Sequence, residues 1–127
     1  MKATELMIGD WVKCLDSTHT TRVFAQVDAI EEGQRTILVM QDNSNWFLYV
    51  QWLEPIPITL DILEKNGLEK LYTDYYDLDV YEANDGLWRV VYSNLECSGF
   101  DESVLVSSVH ELQHFLRHVR INKEIEL

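Results

Sequence analysis

The apolar and polar positions divide the chain into a first part built on alternation and a second that mixes alternation with helical period. Gly9-Asp10 reads as a turn, and Trp11-Val12-Lys13-Cys14-Leu15 follows as a short strand. From Arg22 to Ile30, Val23, Ala25, Val27 and Ala29 alternate with Arg22, Gln26 and Asp28, the pattern of a half-buried strand. Phe24 and Ile30 break it by falling on the polar side. Glu32-Gly33 turns the chain into Thr36–Met40, and Asp42-Asn43-Ser44-Asn45 turns it again into Trp46–Trp52. There Trp46, Leu48, Val50 and Trp52 share one face, and Phe47, Tyr49 and Gln51 share the other. Four or five short strands joined by tight turns predict an SH3-like small β-barrel over residues 1–58.

Leu53-Glu54-Pro55-Ile56-Pro57-Ile58 leaves this barrel in extended form, since each residue before a proline is pushed out of the helical region. Thr59 caps a short helix, Leu60 to Asn66, which Gly67 ends; Leu60, Leu63 and Leu68 are its expected docking residues. Leu71 to Tyr76 reads as extended. Leu78–Ala83 and Leu87–Tyr92, joined by Asn84-Asp85-Gly86, predict an antiparallel hairpin. Leu95 to Phe100 is a weaker third strand, and Val104-Leu105-Val106 leads into a helix from Val109 to about Arg120. Asn122 to Leu127 is expected to be extended or frayed. The fold expected is α+β: a barrel over 1–58, then a helix, hairpin sheet and C-terminal helix over 59–127.

The composition narrows what such a fold can do. A hydrophobic content of 46% is that of a folded chain, and 22 acidic against 10 basic residues give a net charge of −12. That charge opposes binding to phosphate backbones and to anionic lipid, so neither nucleic acid nor membrane is an expected partner. A partner with a basic surface is compatible with it. Cys14 and Cys97 are too few and too far apart for a disulfide framework or a zinc knuckle. Nothing near Cys97 lowers its pKa or supplies a base. Two reduced thiols, no signal-peptide pattern and no membrane-length apolar run make the expected setting cytoplasmic. The oligomeric state is open.

One stretch carries a chemical motif: Ser108-Val109-His110-Glu111-Leu112-Gln113-His114 contains H-E-x-x-H. In zinc hydrolases two histidines one turn apart bind the metal, and the glutamate activates its water. Val109, Leu112, Leu116 and Val119 form an apolar stripe at helical period. At about 100° per residue, His110, His114 and His118 fall roughly 100°, 140° and 180° from Val109, on the side expected to face water. Ser108 and Glu111 also form a capping box, in which the carboxylate ties off the helix start. A third ligand is wanting: Arg117 stands where a longer zinc motif has glycine, and Arg120 and Ile121 where it has its last histidine. The metal reading therefore remains the alternative: zinc on His110 and His114, with Glu111 as base. The leading reading has no cofactor and no catalytic residues.

Three blocks, Leu6–Val12, Leu53–Gly67 and Val109–His114, together resemble a group of small uncharacterised proteins of gut bacteria and their phages or prophages. Members often carry other residues, for example glutamine and asparagine, at positions matching Glu111 and His114, which implies that the metal spacing is not a property of the group. The resemblance implies no activity. Trp46, Phe47, Tyr49 and Trp52 are the candidate peptide-binding surface, since small barrels bind extended or proline-rich segments through aromatic side chains. A non-catalytic binding or adaptor module with a protein partner is the expected function. A zinc-dependent, peptidase-like hydrolase is the alternative.

Overall fold

The computed structural model describes residues 1, 5–15, 20–31, 35–40, 43–96 and 101–127. Its contacts divide the α+β chain into two units, Met1–Ile56 and Pro57–Leu127. In the first, alternation produces strands β1 (Trp11–Leu15), β2 (Arg22–Glu31), β3 (Arg35–Met40) and β4 (Asn45–Tyr49). They form an antiparallel meander in the order β1-β2-β3-β4. Val12, Cys14, Ala25, Val27, Leu38 and Met40 point inward and share one core with Leu6, Val50 and Leu53. Burying a side chain such as Val12 or Leu38 stabilises the fold by about 1.5–3 kcal/mol.

The imperfect alternation of β2 has a structural cause. Val27 pairs with Leu38, but Ala29 pairs with the next residue back, Ile37, so Asp28 is a bulge. A one-residue slip exchanges faces. Ala29, expected beside Val27, therefore lies with Ile37 on the opposite face, and Ile30 pairs with the inward Thr36.

The strand expected over Trp46–Trp52 stops at Tyr49. Val50–Trp52 is a single 3₁₀ turn, closed by the Leu53 N–H on the Val50 carbonyl at 3.0 Å. Glu54 then returns to β1, exchanging both backbone hydrogen bonds with Lys13 at 2.8 and 2.9 Å. The expected barrel is not closed. Among the described residues that single bridge is all the pairing on the outer edge of β1.

In the second unit Thr59 caps α1 (Leu60–Asn66), its hydroxyl accepting the Ile62 N–H at 3.3 Å, and Gly67 ends it at φ 64°. Leu63 and Leu68 are fully buried, whereas Leu60, expected to dock, is exposed. Strands β5 (Lys70–Tyr72), β6 (Tyr76–Glu82), β7 (Trp88–Asn94) and β8 (Asp101–Val106) form an antiparallel sheet in that order. Of the extended stretch expected over Leu71–Tyr76, Leu71 and Tyr72 end β5 and Tyr76 begins β6, while residues 73–75 make a tight turn between them. The Thr73 hydroxyl accepts the N–H groups of Tyr75 and Tyr76, each at 3.1 Å. Asp85 and Gly86, with φ of 56° and 77°, make the expected turn between β6 and β7. The strand expected over Leu95–Phe100 falls mostly on residues 97–100, outside the described residues; β8 begins at Asp101, earlier than Val104.

Helix α2 (Val109–His118) presents buried Val109, Leu112, Phe115 and Leu116, and the sheet presents buried Leu78, Val80, Trp88, Val90, Tyr92 and Val106. The helix ends in a Schellman motif: Ile121 N–H reaches the Leu116 carbonyl at 2.8 Å and Arg120 N–H the Arg117 carbonyl at 3.0 Å. Arg120 holds φ 63°, a conformation that favours glycine. The tail beyond it is extended and pinned. Ile121 and Ile125 are buried, and the Asn66 amide accepts the Glu126 N–H at 2.7 Å while donating to its carbonyl at 2.8 Å. No helix among the described residues is long and apolar enough to cross a membrane.

Candidate functional site

The H-E-x-x-H stretch lies on the first turns of α2, and its chemistry is set by the helix start. Ser108 is the N-cap, its hydroxyl accepting the Glu111 N–H at 3.4 Å. Glu111 Oε1 accepts from the Ser108 hydroxyl at 2.8 Å, the Ser107 hydroxyl at 2.9 Å and the Ser107 N–H at 3.3 Å. The capping box therefore closes on the peptide one residue before the usual place. Burial pushes the Glu111 carboxyl up. The hydrogen bonds from Ser108 and Ser107, helped by the nearby His110, outweigh it and hold the group below the usual glutamate value.

His110 corrects the expectation that all three imidazoles face water: it is buried, with 6% of its surface exposed. The reason is its place in the first turn, beside Ser108, where the antiparallel bridge to Pro57 covers the chain. Its Nδ1 lies 3.1 Å from Ser108 Oγ. The serine hydroxyl has one proton, and the 2.8 Å contact to a carboxylate claims it. His110 Nδ1 is therefore the donor in this contact. Ser108 itself is 1% exposed, so the serine–histidine–glutamate grouping offers no reachable nucleophile. The His114 ring meets that of His110 edge-on at 5.7 Å between centroids. His118, one turn on, pairs with Glu102 at 3.0 Å. Among the described residues no group of three or more His, Cys, Asp or Glu side chains is arranged to hold a metal ion. Cys14 is buried as a free thiol, and Cys97 lies outside the described residues.

The aromatic candidates separate into two sets. Trp46 and Trp52, with Leu15 and Leu48, line an apolar cleft of about 270 Å³ in the first unit. Trp52 is 62% exposed. Ligand pockets usually run to about 300–1,000 Å³, so the cleft suits a few side chains better than a cofactor. Phe47 and Tyr49 alternate to the other face of β4 and do not line it. Arg35 instead lies over the Phe47 ring at 5.5 Å, and both Phe47 and Tyr49 are more than half exposed. Leu15 and Leu48 were not expected as site residues. Leu48 shares the Trp46 side of the alternation, a signal that could have found it. Leu15 joins through the fold alone.

A second cleft, missed in the sequence, lies in the second unit beyond the last turn of α2. It has about 340 Å³ and is lined by Tyr92, Asn94, Glu102, His118, Val119 and Arg120. Compared with protein-family models, with curated proteins and with solved structures, the chain matches none.

Proposed function

We propose that the protein is a non-catalytic binding module, cytoplasmic and carried by a mobile element, whose Leu15–Trp46–Leu48–Trp52 cleft receives an extended segment of a partner protein. The observation that carries this reading is the exposed Trp52 beside an apolar cleft of side-chain dimensions. A large aromatic side chain left in water beside such a cleft is the usual anchor of a recognition surface. On this reading the first unit is an SH3-like barrel whose last strand is reduced to the Glu54 bridge, in support of which the 3₁₀ turn directly precedes the return to β1. The acidic balance, −12, favours a basic partner. The engagement of Glu111 by three donors supports a capping role over that of a base for metal-bound water.

Fluorescence titration of extended peptides against wild type, Trp52→Ala and His114→Ala tests this. The Trp52 variant should bind at least about 30-fold more weakly, the loss of a hot-spot side chain worth about 2 kcal/mol. The His114 variant should bind as wild type. Stoichiometric zinc in tag-free protein that is lost with His114→Ala, together with peptide binding indifferent to Trp52, would establish the hydrolase instead.

A further inference from the structure

Edge strands in natural sheets are blunted by charge, proline, bulges or a covering segment, because their free N–H and C=O groups template pairing with another chain. β4 has none of the sequence devices. From Asn43 to Leu53 there is neither a charged residue nor a proline, in a sequence where 25% of residues are charged. Trp46, Phe47, Leu48 and Tyr49 are strong strand formers, and an uncharged run of this kind on an open edge is an association hazard. β4 is the outermost strand, and among the described residues only β3 pairs with it. A segment so exposed and so unprotected is suited to being covered when the protein is in use.

We infer that the partner binds by adding a strand to the outer edge of β4, and that it is a basic segment of another protein in which apolar residues alternate with lysine or arginine. This rests on the cleft reading and specifies its occupant. Trp46 and Leu48 sit two residues apart on one face, so an added strand directs every second side chain toward the cleft they line with Leu15 and Trp52. Its intervening side chains come out beside Phe47 and Tyr49. Those rings are exposed and suited to cations, as the Arg35 guanidinium over Phe47 already demonstrates. A second copy of the chain fits less well. Its own β4 brings no cation to these rings, and two copies of charge −12 repel.

The test uses the full chain and five probes: an alternating leucine–lysine peptide, its leucine–glutamate counterpart, a proline-rich peptide, and two forms of the leucine–lysine peptide N-methylated on alternate backbone nitrogens, one in each frame. The leucine–lysine peptide should bind and slow amide exchange across Asn45–Tyr49. N-methylation in the frame facing β4 should weaken it by about tenfold or more, the loss of ladder hydrogen bonds, and methylation in the other frame should not. The glutamate peptide should not bind. Equal affinity of the two methylated frames, or preference for the proline-rich peptide, would overturn strand addition while leaving the cleft reading standing if Trp52→Ala still weakens binding. Binding of no peptide, or binding indifferent to Trp52→Ala, would remove the cleft reading itself. A dimer in sedimentation that Phe47→Lys disperses would make a second copy the occupant and overturn the choice of partner.

Discussion

Replacing Ser108 with alanine should expose how much of the second unit depends on the start of α2. The hydroxyl satisfies the Glu111 N–H, donates to the Glu111 carboxylate and receives His110 Nδ1–H. Loss of an N-cap costs about 1 kcal/mol, and loss of a donor to a partly exposed carboxylate about 1 kcal/mol more. The buried His110 N–H, left without its serine, pushes the total toward about 3 kcal/mol. At about 4–8 °C per kcal/mol for a unit of this size, the unfolding midpoint should fall by about 12–24 °C. Glu111→Gln keeps the shape but not the charge and should cost about 1 kcal/mol at neutral pH. Its pH dependence follows from the depressed carboxyl. A group whose folded pKa lies below its unfolded value contributes stability that is fully present above the unfolded value, near 4.5, and lost as pH falls through the folded value. The gap between wild type and Glu111→Gln should therefore be full at neutral pH and close in acid. Denaturant unfolding followed by far-ultraviolet circular dichroism across an acid series measures both. A Ser108→Ala variant as stable as wild type, or a Glu111→Gln gap that widens in acid, would refute the capping account.

Two further outcomes follow from the same unit. Arg120→Gly should raise stability by about 1 kcal/mol, read by thermal unfolding, because glycine adopts the left-handed conformation there without the side-chain penalty. Asn66→Ala should cost about 2–3 kcal/mol and release the tail, since one amide satisfies both backbone groups of Glu126 and the Ile62 carbonyl. Hydrogen exchange at the Glu126 amide reports this directly.

Local signals in the sequence reached some features and not others. The turn at Asn84–Gly86, the Thr59 and Ser108 caps and the Gly67 stop depend on a few adjacent residues, and each was legible. The bulge at Asp28 was not, because it is defined by pairing with Leu38 and Ile37, a relation between strands that one strand's pattern cannot carry. The same holds for barrel closure: that the pairing of the returning chain with β1 is a single bridge, Glu54 with Lys13, is again a relation between segments. His110 misled for a related reason. Helical angles place a side chain relative to the helix, and burial at the first turn is decided by the chain that precedes the helix. Of the aromatic surface, alternation along β4 separates Trp46 from Phe47 and Tyr49, whereas Trp52 reaches the cleft from the 3₁₀ turn that replaces the expected end of the strand, and only the fold brings Leu15 there.

The most direct test of the account follows the amide and indole NMR signals of the full chain as the leucine–lysine peptide is added, with zinc added to a separate sample. The account predicts that the peptide shifts Leu15, the β4 amides and the Trp52 indole, and that zinc produces no stoichiometric change at His110 and His114. A peptide that leaves Trp46 and Trp52 untouched, with zinc saturating both imidazoles at one equivalent, would contradict it.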